Sequence, residues 1–190
     1  MTGTRYLALF KGINVGRAKR IAMADLRRVL GGLGYTDVAT HQQSGNAVFG
    51  AEGDAAAVGT AIREAVRTEL GVDAAVVVRT RAQLTDAIAA DPFGDIADDP
   101  AKHLLGFFAA RPPADRLAEF RTYLDGRQSE PPDDGGCQVT AEHCYLWCPA
   151  GVLKSPFGTV DWDRRLGVVV TMRNFSTVLR MVDLLGGPVR

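Results

Sequence analysis

The sequence predicts an α+β protein made of two successive ferredoxin-like βαββαβ halves, with a connecting helix between them and a C-terminal helix. Two observations lead to this fold class. The order strand, helix, strand, strand, helix, strand can be followed through the first part of the chain and again through the second. Between them, residues 91–100 are acidic and contain two prolines, as boundaries between domains often do. We therefore predict domains at residues 1–90, with the connecting helix, and 101–190, with the C-terminal helix.

The first half opens with residues 6–10, which are apolar on both faces and therefore typical of a central strand. Apolar residues at helical spacing predict helices over 23–33 and 54–70, and Asp54 can cap the second of them. The further strands are predicted at 37–41, 46–50 and 74–78. Residues 42–45 form a hairpin with a glycine for a left-handed position. Thr80 and Gln83 have the spacing of a capping box and predict the connecting helix at 81–89.

The second half follows the same order, although it shares no obvious identity with the first. Strands are predicted at 103–110, 137–140, 143–148 and 168–171. Pro113 can occupy the first turn of a helix that buries Leu117, Phe120 and Leu124. A polar loop follows at 127–136, and a short helix is expected at about 159–166. The final helix buries Val178, Met181, Val182 and Leu185.

Charge and composition exclude several classes of protein. The 190-residue chain has 22 basic and 22 acidic residues, so no field of the whole molecule attracts it to nucleic acid or to an anionic membrane. No apolar run approaches the ~18 residues of a membrane span, and the N-terminus lacks the pattern of a signal peptide. We therefore expect a cytoplasmic protein with no membrane partner. Three cysteines, an odd number, argue against a disulfide framework in that compartment.

A polar loop at the end of the first strand is the first part of the candidate site. Its sequence is Lys11-Gly12-Ile13-Asn14-Val15-Gly16, and a basic run at Arg17, Lys19 and Arg20 follows it. In the predicted topology the third strand lies between the first two, so this loop and the 42–45 hairpin fall at the same end of the sheet. We therefore expect Lys11 and Asn14 to lie close to Gln43, Ser44 and Asn46.

Two interpretations of this loop remain open from the sequence. It can be a tight connection whose glycines supply unusual dihedral angles, or its backbone N–H groups can approach an anion that Lys11 neutralises. It is neither a Walker A sequence nor G-x-G-x-x-G, so no cofactor is expected. For Ser44 a turn residue is favoured over a nucleophile, because only His41 is close in sequence and no G-x-S-x-G elbow is present.

A third segment, Thr171-Met172-Arg173-Asn174-Phe175-Ser176-Thr177, lies where the last strand meets the last helix. Asn174 or Ser176 can be the helix cap. Arg173 is harder to explain in this way, because positive charge is disfavoured before a helix N-terminus. An anion held jointly by Arg173 and the helix N–H groups would offset this mismatch.

These three segments, in this order and at these separations, resemble the bacterial family known as domain of unknown function 1697 (DUF1697), over essentially the whole chain. The family pattern reads R-G-I-N-V-G, Q-S-G-N and T-x-R-N-W-N-T. The resemblance implies that the chain carries the motif at Gly12, Asn14, Gly16, Gln43, Ser44, Gly45, Asn46, Arg173, Asn174 and Thr177. Lys11 stands where Arg is usual, and Phe175 and Ser176 replace Trp and Asn. The family name implies no activity.

The leading hypothesis is a small bacterial protein that binds an anionic small molecule, such as a nucleotide or another phosphate-bearing compound. The candidate ligand-binding residues are Lys11, Gly12, Asn14, Gly16, Gln43, Ser44, Asn46, Arg173, Asn174 and Thr177. The alternative is a nucleic-acid or protein interaction module without catalysis, although zero net charge and the missing RNA-binding aromatic motif argue against nucleic acid. Catalysis and oligomeric state are left open by the sequence. Cys137, His143, Cys144 and Cys148 lack the spacing of a metal site, and core cysteines are expected instead.

Overall fold

The computed structural model describes residues 3–16, 19–128 and 135–186. Arg17 of the basic run and most of the predicted polar loop at 127–136 lie outside these residues. The chain divides into two compact units, Met1–Asp86 with Arg180–Arg190 and Ala87–Leu179. The domain limits inferred from the sequence, 1–90 and 101–190, stay a prediction.

The first unit contains a four-stranded antiparallel sheet. Its strands are β1 (Thr4–Phe10), β2 (Thr36–His41), β3 (Asn46–Ala51) and β4 (Val76–Thr80), and its helices are α1 (Met23–Gly32), α2 (Ala55–Leu70) and α3 (Arg81–Ala89), the last of which extends into the second unit. The strand order is β2-β3-β1-β4, so the third strand lies between the first two as predicted. The central strand β1 pairs with β3 and with β4.

One core fills the space between this sheet and its helices. Alternate residues of β1, including Tyr6, Ala8 and Phe10, are buried with Leu26 and Leu30 of α1. The two termini of α2 follow local rules of helix capping. Asp54 accepts hydrogen bonds from the N–H groups of Ala56 and Ala57, each 2.9 Å long, and Gly71 ends the helix at φ 67°.

The second unit repeats the architecture. Its strands are β5 (His103–Phe108), β6 (Gly136–Val139), β7 (His143–Trp147) and β8 (Val170–Asn174), and its helices are α4 (Ala114–Asp125), α5 (Trp162–Leu166) and the first part of α6 (Phe175–Gly186). The strand order is β6-β7-β5-β8, and every pairing is antiparallel. Its core joins Phe108 to Phe120, Leu124 and Leu166 from the helices.

The predicted two-half α+β fold is therefore confirmed, with shifts at some boundaries. The capping box is present, since Gln83 N–H donates to Thr80 Oγ1 at 3.3 Å and Thr80 N–H donates to Gln83 Oε1 at 2.9 Å. The last strand runs further than predicted. Residues 173 and 174 pair with Leu105 and Leu104 of β5 and so belong to β8 itself. Within the described residues, no helix has the length and apolar character needed to cross a membrane.

Candidate functional site

The loop at residues 11–16, called the strand-end loop below, meets the 42–45 hairpin at one end of the first sheet. Asn14 Nδ2 donates a hydrogen bond to the carbonyl oxygen of Gln43 over 2.8 Å. Nearby, Phe10 N–H donates to the carbonyl oxygen of Gly45 over 2.9 Å. The expected proximity of Asn14 to the hairpin is thus confirmed, and it follows from β1 and β3 being neighbours.

Asn14 holds the strand-end loop through three side-chain hydrogen bonds. Besides the bond to Gln43, its Nδ2 donates to the carbonyl oxygen of Ile21 at 2.9 Å, and its Oδ1 accepts from Ile21 N–H at 2.9 Å. Both amide hydrogens are therefore engaged within the protein. The side chain fixes the loop against the hairpin and against the segment that leads into α1. This role suits an asparagine at φ 57°, because Asn tolerates the left-handed region better than most residues.

Every second residue of the strand-end loop from Gly12 to Gly16 has positive φ. Gly12, Asn14 and Gly16 have φ values of 66°, 57° and 64°, whereas Ile13 and Val15 between them do not have positive φ. Nests, in which successive backbone N–H groups bind one anion, are one setting in which residues of positive φ alternate with others. The N–H groups of Lys11 and Asn14 are used internally, donating to the carbonyl oxygens of Ala75 (2.9 Å) and Lys19 (3.0 Å).

Within the described residues, the other N–H groups of the loop have no such internal role. No hydrogen bond within the described ranges uses the backbone N–H of Gly12, Val15 or Gly16 as its donor. A Cβ atom built on either glycine would meet nothing within 4 Å, so open space lies beside the backbone there. These glycines are needed for their dihedral angles, and the space beside them is accessible to a ligand.

Gly45 differs from them because it is packed. A Cβ atom there would lie 2.6 Å from Ile13 Cδ1 and 2.7 Å from Phe10 Cβ. The hairpin backbone therefore rests directly on the buried Ile13 of the strand-end loop. The only side chain of that loop that is strongly exposed is Val15, at 73%.

Asn46 organises the hairpin from a fully buried position, with 0% exposure. Its Nδ2 donates to the carbonyl oxygen of His41 at 3.1 Å and to Ser44 Oγ at 3.0 Å. Ser44 and His41 are thus joined through Asn46 and form part of the turn. This geometry agrees with the interpretation of Ser44 as a turn residue.

The third candidate segment belongs to the second unit. Arg173 lies in β8, and its Nη1 donates to Thr171 Oγ1 at 3.0 Å and to the carbonyl oxygen of Met172 at 2.8 Å. Burial lowers the pKa of Arg173 to about 10, because desolvation disfavours the charged form. The guanidinium is therefore a half-buried cation that turns back along its own strand.

Asn174 is the N-cap of α6, one of the two alternatives that the sequence left open. Its Oδ1 accepts a hydrogen bond from Thr177 N–H at 3.0 Å and one from Ser176 Oγ at 3.1 Å. Ser176 N–H donates to the carbonyl oxygen of Pro100 at 3.3 Å. Two of the helix N–H groups that an anion beside Arg173 would use are thus engaged, and a ligand-binding role for Arg173, Asn174 and Thr177 stays a prediction.

The cysteines are buried, as expected of core residues. Cys137, Cys144 and Cys148 are free thiols, and burial raises the pKa of each of them. Gly106 leaves room for one of them, since a Cβ atom there would collide with Cys144 Sγ. No group of three or more metal-binding side chains was found among the residues that the structure describes.

A buried histidine in the second unit was not identified from the sequence. His103 Nε2 lies 3.2 Å from Asp91 Oδ1, which makes an ion pair when the imidazole is protonated. The imidazole stacks on Phe175 with ring centroids 3.9 Å apart. Desolvation lowers the pKa of His103, although Asp91 opposes this shift. The sequence does not indicate that His103, at the start of a strand, lies beside Asp91.

The fold and the site define a class of two-half α+β proteins with a glycine-containing polar loop at one sheet end. The chain belongs to the family described as protein of unknown function (DUF1697), whose model matches residues 3–131. Among solved structures it is similar to the conserved bacterial protein SP0830 from Streptococcus pneumoniae. The two share 19% identity over 96% of this chain and 98% of that chain, with a TM-score of 0.75. This likeness shows the fold, and no curated protein matches the chain.

Proposed function

We propose that the protein binds an anionic small molecule, phosphate-bearing in the simplest case, at the strand-end loop. The observation that carries this proposal is the alternating backbone of residues 12–16, in which Gly12, Asn14 and Gly16 have positive φ. A loop of this shape directs several N–H groups to one side and offers an anion hydrogen bonds without a rearrangement. The open space beside both glycines allows the ligand to reach that backbone.

The residues of the proposed site divide into two roles. Lys11 supplies positive charge, while Gly12, Gly16 and Val15 supply backbone N–H donors. Asn14 holds these donors in position through its hydrogen bond to the carbonyl oxygen of Gln43, while Asn46 and Ser44 brace the hairpin through a bond within it. Binding energy is then not spent on ordering the loop, because the loop is already fixed.

The start of α1 supports the same location. This helix begins at Met23, and its N-cap residue Ala22 provides no side-chain cap. Its first N–H groups therefore lack the side-chain acceptor that caps most helices. Asn14 holds Ile21, two residues before the helix, which keeps the strand-end loop and the helix start together. Helix N-termini favour anions through their N–H groups and their dipole.

The test is a calorimetric and thermal-shift titration with phosphate, AMP and citrate, made on the wild type and on Gly16→Val. A β-branched residue strongly disfavours positive φ and would change the shape of the loop. Gly71→Val is the matched control, because Gly71 has φ 67° and equally open surroundings but lies at the end of α2. We expect inorganic phosphate, which the loop can bind without further contacts, to stabilise the wild type and Gly71→Val more than Gly16→Val. Equal responses of the two variants, or no response of the wild type to any anion, would refute the proposal.

A further inference from the structure

The second unit carries a groove of about 440 Å³ beside helices α4 and α5. Arg116 of α4 and Arg164 and Arg165 of α5 line it, together with the aromatic rings of Phe120 and Tyr123. Sites for small molecules commonly measure about 300–1,000 Å³ and combine apolar surface with a few placed polar groups. The groove therefore has the size and the mixed lining of a ligand site.

Two of the three guanidinium groups are fixed in place by the protein. Arg165 Cζ lies 3.2 Å from the centroid of the Tyr123 ring, a cation–π contact that leaves its N–H donors available. Arg116 Nη1 donates to the carbonyl oxygen of Arg164 at 2.9 Å. Phe120 packs edge-on against Trp162 at 5.1 Å and so joins α4 to α5 beneath these side chains. The positive charges are thus positioned before any ligand arrives.

The same groove contains two carboxylates, yet these do not neutralise the arginines. Glu119 and Asp161 line the groove, but the ion pairs of the described chain include none made by Arg116, Arg164 or Arg165. Asp161 Oδ1 instead accepts a hydrogen bond from Arg164 N–H at 3.1 Å and caps α5. Three cations against two carboxylates leave the groove with a surplus of positive charge and with unused guanidinium donors.

We propose that this groove binds a phosphorylated, hydroxyl-bearing small molecule, such as a sugar phosphate or a mononucleotide. The planar forks of Arg164 and Arg165 match the oxygen geometry of a phosphate, and Arg116 adds a third charge. The carboxylate of Glu119 can accept hydrogen bonds from hydroxyl groups of the ligand. A site made of arginines alone would offer no acceptor for these hydroxyl groups. All of these residues belong to the second unit, so this inference does not depend on the strand-end loop of the first unit.

The experiment is a titration of the full chain followed by residue-resolved amide NMR. The probes are ribose 5-phosphate, AMP, inorganic phosphate, unphosphorylated ribose and a single-stranded uridine oligonucleotide. We expect saturable shifts of amide signals in α4 and α5 with ribose 5-phosphate or AMP, and affinity at least about tenfold lower for inorganic phosphate, which lacks the hydroxyl contacts. Tighter binding of ribose 5-phosphate would identify the ligand class as sugar phosphates, and tighter binding of AMP would identify it as mononucleotides.

Variants make the test specific to the groove. Arg164→Gln removes one exposed cation whose side chain makes no hydrogen bond or ion pair within the described residues, and we expect it to weaken ester binding at least about tenfold. Arg111→Gln, an exposed arginine of the same unit outside the groove, is the control and should bind as the wild type does. The proposal is overturned if no ester shifts these signals, if ribose binds as well as its phosphate, if only the oligonucleotide binds, or if both variants bind equally.

Discussion

The Nδ2 atom of Asn14 lies 2.8 Å from the carbonyl oxygen of Gln43, so one side-chain amide joins the strand-end loop to the neighbouring hairpin. The same amide makes two bonds to Ile21. The shape of the loop, and with it the proposed anion site, therefore depends on a residue that itself has no donor hydrogen left for a ligand.

Replacing Asn14 separates its hydrogen bonds from its dihedral angle. Asn14→Gly loses three side-chain bonds, each contributing about 0.5–1.5 kcal/mol, but keeps φ 57° accessible. Asn14→Ala loses the same bonds and adds left-handed strain of roughly 1–2 kcal/mol. We expect both to destabilise the first unit, the alanine variant more strongly. Native-state hydrogen exchange of buried amides in β1 and β3 measures the stability of the first unit. An Asn14→Gly variant as stable as the wild type would show that the hydrogen bonds of Asn14 do not stabilise the loop.

The close packing of Gly45 predicts a large effect of adding one methyl group. In Gly45→Ala the new Cβ would lie 2.6 Å from Ile13 Cδ1, so loop and hairpin must separate. Gly34→Ala is the control, with φ 80° against 77° and nothing within 4 Å. We expect Gly45→Ala to cost about 1–3 kcal/mol more than the control in the exchange free energy of the same amides. Equal losses of stability in the two variants would mean that Gly45 is needed only for its positive φ and not for the close packing against Ile13.

The capping role of Asn174 can be distinguished from a role in ligand binding. Asn174→Asp keeps the acceptor for Thr177 N–H and adds negative charge at a helix N-terminus, so we expect stability at least equal to that of the wild type. Asn174→Ala should lose about 1 kcal/mol. Urea unfolding followed by tryptophan fluorescence measures both, because Trp147 and Trp162 lie in the same unit. If both variants retain wild-type stability, the cap is not what Asn174 contributes.

The buried His103 predicts that the second unit loses stability in mild acid. Its pKa is lowered in the folded state, mainly by desolvation, so below the unfolded value of 6.5 the unfolded chain binds more protons. The free energy of unfolding is therefore fully retained above about pH 6.5 and falls as the pH drops toward the folded pKa. We expect His103→Phe to flatten this slope in urea unfolding followed by tryptophan fluorescence. The same slope in both proteins would assign the pH dependence to other groups.

Local patterns predicted those features whose partners are close in sequence or in the order of strands. The Thr80–Gln83 capping box needs only three residues, and the meeting of Asn14 with the hairpin follows from strand order. The bonds of Asn14 to Ile21 could not be predicted, because nothing in the residue types indicates how the intervening loop turns. The extent of β8 was missed because it is set by pairing with β5, a partner far away in the chain.

The arginine groove shows a second limit of sequence analysis. Arg164 and Arg165 are adjacent and visible as a basic pair, but Arg116 lies on another helix, and only the packing of α4 against α5 brings the three together. Tyr123 gives no sign in the sequence that it holds a guanidinium. Tertiary contact between two helices, and not the spacing of residues, creates this surface.

The most direct test of the central claim is an amide NMR titration of the full chain with inorganic phosphate. If the strand-end loop binds anions through its backbone, the signals of Gly12, Val15 and Gly16 shift together and saturate, because their N–H groups would acquire an acceptor. The signal of Gly71, with the same handedness and equally open surroundings, should not move. The proposed anion site would be contradicted if the three loop signals did not shift at high phosphate concentration. It would also be contradicted if they shifted no more than the signal of Gly71 does.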